Sequence, residues 1–336
     1  MFPLTLLHLR FVLEARTLVR LSGYNAGSQL RGALGNVMRR AYCAEAHRTN
    51  GRTPLPNHAA ACPVCWLLAA NEHPGEERRG YALIPPLNPP EACAPGERFS
   101  FGLTLFGSAL RFLPYFVLAV PETGREGAGT GRGQFALRQV WAADPLSGDH
   151  QPVLAEGESL VHSPTRAMVH AQVLAAANQL GERLNGRGNA LITLNFLTPM
   201  RLIEDRQLLK VPDFGVLFKR LLRHLDDVAR QHCEGTRRAE DEVNALQALA
   251  DRVQLMEAQT RWVDVWSGST RRGTATPMGG FVGKATYSAP VEVWRPLLPW
   301  LLWGQATQVG KDTVKGNGVY EVIAPGLRRY ASWVEG

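Results

Sequence analysis

The chain of 336 residues carries 37 Lys and Arg against 30 Asp and Glu, a formal charge of +7; arginine far outnumbers lysine, which favours a polyanionic partner, nucleic acid first, over an acidic small molecule. The length suits two domains of about 150 residues each. No apolar run reaches the roughly 18 residues of a membrane span, the opening MFPLTLLHLRF is broken by His8 and Arg10 and lacks a small-residue cleavage site, and the five cysteines read as thiols or metal ligands, so a cytoplasmic protein without a membrane partner is expected.

Residues 4–21 alternate loosely and predict a first strand, ended by Gly23. In GYNAGSQLRGALGNVMRRAYC, Ser28 is the expected N-cap of a helix that sets Leu30, Leu34, Val37 and Met38 on one face and Arg31, Arg39 and Arg40 on another. A basic helix start of this kind can hold an anion. Residues 43–96 are Pro-rich and irregular. Their Cys43, Cys62, Cys65 and Cys93, the middle pair in ACPVC, suit a tetrahedral structural zinc that ties down a long loop, or are ordinary reduced cysteines. His47, His58 and His73 are alternative ligands in the same stretch.

FSFGLTLFG, FVLAV and FALRQVW, within residues 98–142, read as strands. Between the last two lies the glycine-arginine loop ETGREGAGTGRGQ, a surface hairpin whose Arg125 and Arg132 are candidate contacts to a nucleic-acid backbone. The polar stretch 143–188, with an Ala-rich helix at 166–184, holds the expected domain boundary. The second half restarts with ALITLNFLTPMRLI, a strand broken at Pro199, and a helix from Asp213 to His232 with Phe214, Leu217, Leu221, Leu222 and Leu225 inward and Lys219, Arg220 and Arg223 outward. A packing helix at 238–257 follows, then strands in TRWVDVWSGSTRR and MGGFVGKATYSAP, then a helix from Trp294 to Trp303. The chain closes on GQATQVGKDTVKGNGVY, residues 304–320, read as strand, loop, strand. Gly310, Gly316 and Gly318 with Lys311 and Lys315 make it either a phosphate-gripping turn or a hairpin with two solvated lysines. Lys and glycine stand in the wrong order for a Walker A loop, which argues against nucleoside triphosphate binding. The sum is two α+β halves with antiparallel sheets.

Seven segments in order, GSQLRGALG, CPVCWLL, LTLFG, LNFLTPMRL, FKRLLRHL, GGFVGKATY and VGKDTVKGNGVYEV, resemble the CRISPR-associated endoribonucleases of the RAMP superfamily, which cut precursor CRISPR RNA within its repeat. The resemblance covers most of the chain. It implies two tandem ferredoxin-like (RRM-like) βαββαβ domains, at 1–150 with an irregular Cys-containing insertion at about 43–96, and at 185–330 with the glycine-rich loop. It also implies a metal-independent cut by the ribose 2′-OH, leaving a 2′,3′-cyclic phosphate and a 5′-OH, with no cofactor beyond the candidate structural zinc. Partners would be repeat RNA, as precursor and mature CRISPR RNA, and other subunits of an effector complex; a non-catalytic RNA-binding RAMP subunit is the alternative. The family's proton-transfer slot falls on or just after the first helix. Here that slot offers His47, with Tyr24 before the helix and Arg31 and Arg39 on it, so either His47 carries protons or arginines carry the work. Arg40, Arg125, Arg132, Lys219, Arg223, Lys284, Lys311 and Lys315, with the glycines of the last loop, are the expected RNA contacts.

Overall fold

A computed structural model describes residues 2–45, 56–69, 78–87, 90–165, 167–184, 188–269 and 274–331. His47 and His73 lie outside the described residues. The first unit runs β1 (Thr5–Ala15), α1 (Ala26–Tyr42), the short helices α2 (Pro56–Ala61) and α3 (Pro63–Ala69), β2 (Tyr81–Ile84), β3 (Arg98–Phe106), α4 (Leu113–Glu126) and β4 (Phe135–Ala143). Its strands lie in the order β2-β3-β1-β4, antiparallel throughout. Strand β5 (His150–Leu154) extends the sheet beyond β4, and β6 (Met168–Val169) pairs with the start of β1.

Helix α5 (His170–Leu184) leads into the second unit, which begins with β7 (Asn189–Met200), a small hairpin of β8 (Ile203–Glu204) and β9 (Gln207–Leu208), α6 (Phe214–His232) and α7 (Glu240–Ala250). It continues with β10 (Gln254–Val263), a second hairpin of β11 (Trp266–Ser269) and β12 (Thr274–Pro277), β13 (Gly280–Pro290), α8 (Val291–Thr307) and β14 (Tyr320–Ile323). The order β10-β13-β7-β14 repeats that of the first sheet, so both units are ferredoxin-like: in each, the first strand sits between the third and the fourth.

The two sheets share apolar packing. Leu6, Ala82 and Phe106 of the first unit belong to one buried cluster with Phe196, Leu221, Trp294 and Trp303 of the second. The last turn of α8 is held from both sides: His8 on β1 donates Nε2–H to the Ala306 carbonyl at 2.9 Å and His224 on α6 to that of Thr307 at 3.3 Å, while Gln308 donates to the Leu83 carbonyl at 2.9 Å. Those helix-end carbonyls have no partner within the helix, which is why side chains from elsewhere are recruited. Burial holds both imidazoles neutral, lowering His8 to about 4 and His224 to about 3, the latter with help from Arg78.

Four expectations change. FVLAV is helical: its apolar run has no period of its own, and α4 starts with a proline in its first turn and buries Phe116, Val117, Ala119 and Val120 on one face. Residues 304–307 end α8 instead of forming a strand. Helix α1 starts before Ser28, at Ala26, and the Ser28 hydroxyl meets that of Ser267 at 2.7 Å. Helix α7 stops at Ala250, and residues 254–257 already belong to β10. Among the described residues, no helix is long and apolar enough to cross a membrane.

Candidate functional site

The glycine-rich loop docks on the first helix. A Cβ on Gly27, in the first turn of α1, would run into the Lys315 carbonyl, and one on Gly316 would lie 2.8 Å from Pro85 Cδ and 3.4 Å from Gly27 Cα. Gly316 also has φ +92°, a conformation that side chains resist. Two glycines, one from each unit, thus let two backbones touch. The surface that the Gly316 Cβ would occupy is taken by protein. The loop lysines differ: Lys315 pairs with Asp312 at 2.9 Å, and Lys311 is exposed.

Beside this contact opens a cleft of about 290 Å³, lined by Arg31 of α1, Arg78, Arg79 and Tyr81 around the start of β2, His224 of α6, and Gly310 and residues 312–315 of the loop. Tyr81 is its chemical centre. Burial alone would raise the phenol, but Arg31 and Arg79, both hydrogen-bonded to it, outweigh that and bring it below its ordinary range. Arg79 is itself buried, and Arg31 meets no carboxylate among the described residues. Arg78, by contrast, is paired with the buried Asp227 at 3.2 Å. His224 uses Nε2 on the Thr307 carbonyl, and its buried Nδ1 has no hydrogen-bond partner among the described residues. A cleft with concentrated positive charge, a phenol of reduced pKa and a neutral imidazole can bind a phosphodiester, stabilise charge building on it and give up a proton.

Of the residues singled out by sequence, Arg31, Gly310 and Lys315 line this cleft. Tyr24 stands apart from the lining, its ring on the Val263, Val265, Met278 and Val282 cluster and its hydroxyl 3.4 Å from Arg261. Arg39 sits two turns beyond Arg31, where its carbonyl accepts from the Cys43 amide. Arg40 and Arg132 both reach Glu126, Arg125 pairs with Glu122 at 3.1 Å, and Lys219 pairs with Glu204 at 2.7 Å. Arg223 and Lys284 are exposed on α6 and β13. Tyr81, Arg79 and His224 were missed. The first two belong to RRGYALI, where a basic doublet precedes a short apolar run bounded by Gly80 and Pro85; that is the pattern of a buried strand, hidden inside a stretch read as irregular.

The cysteines are corrected in part. Cys43, Cys62 and Cys65 converge, and His58, not Cys93, is the fourth member, with all four ligand atoms within 4.8 Å of one another. Cys93 is held away by paired backbone hydrogen bonds to Val19, 2.9 and 2.8 Å. Burial, with the neighbouring Cys43 and Cys62 sulfurs, pushes the Cys65 thiol far up.

Residues 194–320 match the family model of the CRISPR-associated endoribonuclease Cas6, and residues 4–166 match a family described as an N-terminal domain. No curated protein matches the chain by sequence. Among solved structures, a Thermus thermophilus Cas6 is 16% identical with TM-score 0.55, over 95% of this chain and 99% of that one. A Cas6 product complex is 17% identical with TM-score 0.53, over 95% and 99%. A chain of a partial Cas6-RT-Cas1–Cas2 complex is 15% identical with TM-score 0.62, over 96% of this chain and 46% of that one. At such identities these structures speak for the fold, two ferredoxin-like units in tandem. The chain thus has the fold of these structures along nearly its whole length, and its residues 194–320 match the domain model of the CRISPR-associated endoribonuclease Cas6.

Proposed function

We propose that the protein matures CRISPR RNA by a metal-independent cut within the repeat, and that the cleft between α1, the start of β2 and the glycine-rich loop is where it cuts. The observation that carries this reading is the buried Tyr81 phenol, drawn below its ordinary range by Arg31 and Arg79. In the proposed step the 2′-OH next to the scissile phosphate loses its proton to a base and attacks phosphorus. The P–O5′ bond breaks, and Tyr81 gives its proton to the departing 5′ oxygen, leaving a 2′,3′-cyclic phosphate and a 5′-OH. Arg31 and Arg79 face the charge that builds on the phosphorane, with Lys315 beside them. His47, from its place after α1 in the sequence, is the candidate base. Repeat RNA, precursor and product, is the partner, and the product and Cas1–Cas2 complexes solved for similar proteins support RNA and other CRISPR proteins in that role. Lys311, Arg223 and Lys284 are offered as backbone contacts outside the cleft.

Single-turnover cleavage of a repeat-containing transcript in EDTA tests the reading. Tyr81→Phe should slow the cut by about 10²- to 10⁴-fold with RNA affinity within a few-fold of wild type, since proton transfer belongs to the transition state; an unchanged rate removes Tyr81 from the chemistry. A 2′-deoxy nucleotide 5′ of the scissile phosphate should abolish cutting and spare binding. Cleavage of that substrate at the normal rate means a water nucleophile and overturns the mechanism.

A further inference from the structure

Outside the cleft, the donor atoms of Cys43, His58, Cys62 and Cys65 form a compact, largely buried group. Cys43 is the C-cap of α1, His58 lies on α2, Cys62 joins the two short helices and Cys65 lies on α3, with 14, 3 and 2 residues between successive members. The Cys43 sulfur is 3.3 Å from His58 Nε2 and 3.6 Å from the Cys65 sulfur. A tetrahedral zinc with Zn–S about 2.3 Å and Zn–N about 2.0–2.1 Å has S–S and S–N edges of about 3.8 and 3.5 Å, so both separations are those of ligands around one ion.

The surroundings agree. His58 turns Nε2 inward and Nδ1 toward Glu45, whose Oε2 is 3.5 Å away, the carboxylate–histidine arrangement that fixes the ring of a metal-bound imidazole. The Cys62 amide donates to the His58 carbonyl at 2.8 Å and the Trp66 amide to that of Cys62 at 2.9 Å, which holds three of the four ligand-bearing positions on one short backbone path. Trp66 packs against Phe112 and His232, with ring centroids 5.2 and 5.5 Å apart, so one side of the group is closed by core. Reduced core cysteines have no need of a histidine among them, nor of a carboxylate behind that histidine.

We infer that Cys43, His58, Cys62 and Cys65 bind one structural zinc ion. Four protein ligands fill a tetrahedron and leave no position for water or substrate, so the ion takes no part in the cut. Its work is mechanical. It clamps the C-terminal end of α1 to α2 and α3, while the N-terminal end of the same helix lies under the glycine-rich loop, and Arg31 stands between the two fixed points.

The test is metal content of the full-length protein after loading with zinc chloride and removal of excess metal. Elemental analysis should give close to one zinc per chain, and cobalt substitution should give the absorption of a tetrahedral thiolate site. His58→Ala and Cys62→Ser should lose the stoichiometric metal, Cys93→Ser should keep it, and Glu45→Gln should keep it with affinity lower by about 10- to 100-fold. If His58→Ala does not fold, His58→Cys keeps a complete ligand set and should still hold one zinc. A zinc-free wild type, another metal in stoichiometric amount, a Cys43–Cys65 disulfide found by mass spectrometry of the unreduced protein, or loss of zinc on Cys93→Ser with retention on His58→Ala each overturns the assignment.

Discussion

Helices α1 and α6 hold equivalent places in their two units, each following the first strand, and both are studded with basic side chains; their charges have different fates. On α6, Lys219 and Arg220 reach Glu204 at 2.7 and 2.6 Å, and their proximity lowers that carboxyl below its ordinary range despite some burial. An RNA phosphate arriving there competes with an anion already in place. On α1, Arg40 is likewise held by Glu126, but Arg31 is turned into a cleft where its partner is the Tyr81 phenol. Positive charge is plentiful in this chain, so its amount locates nothing; what marks the site is a cation whose partner is not a carboxylate.

The most direct way to break this comparison is to delete the charges in turn. Arg31→Ala should slow single-turnover cleavage by about 10²- to 10³-fold, the usual cost of removing one preorganised donor, while Lys219→Ala with Arg220→Ala should stay within a few-fold of wild type. Equal effects would mean that the two helices serve the RNA alike.

The inner face of α6 sharpens the contrast, because its His224 acts within the protein. His8 and His224 are depressed to about 4 and about 3 from 6.5. Their unfolded forms take up protons first as pH falls, so their contribution is fully present above about 6.5 and is lost on acidification toward those values, by about 3 kcal/mol for His8 alone. Urea unfolding at pH 7 and pH 5 should show part of that loss, about 2 kcal/mol from His8, and His8→Gln should lessen it; a stability independent of pH in this window would refute the caps.

A smaller effect is expected where α1 meets the loop. Gly27→Ala puts a methyl against the Lys315 carbonyl and should lower stability by about 1–3 kcal/mol, as overpacking does, with a parallel loss of cleavage. Thermal unfolding with and without RNA separates the two. The smallest effect comes from Glu204→Gln: freeing Lys219 and Arg220 should steepen the salt dependence of RNA binding by about one phosphate contact, and an unchanged slope would mean that RNA does not pass over α6.

Much of the fold is written in local signals. Asp213 caps α6 through the Val216 amide at 2.8 Å, and the inward residues read from its period are buried. The site was harder to read because its members meet only through tertiary contacts. Tyr81 gains its meaning from Arg31, fifty residues earlier, and His58 replaces Cys93 because the strand-like pairing of Cys93 with Val19 outweighs any pull of spacing. The glycines of the last loop suggest a close approach of backbone to a phosphate, whereas the neighbours at Gly316 are Gly27 and Pro85, which no local pattern announces.

The last turn of α8 has a consequence for the order in which the molecule can be completed. His8 is buried near the beginning of the chain, and its acceptor, the Ala306 carbonyl, comes 298 residues later. Until the ribosome has delivered that segment, His8 Nε2 in the first sheet lacks its acceptor, although Nδ1 meets the Thr104 hydroxyl, and Leu83 lacks the Gln308 amide on its carbonyl. The first sheet therefore reaches its final state only after residues 306–308 have been synthesised, and a gene split between the two units should yield fragments that need each other to fold.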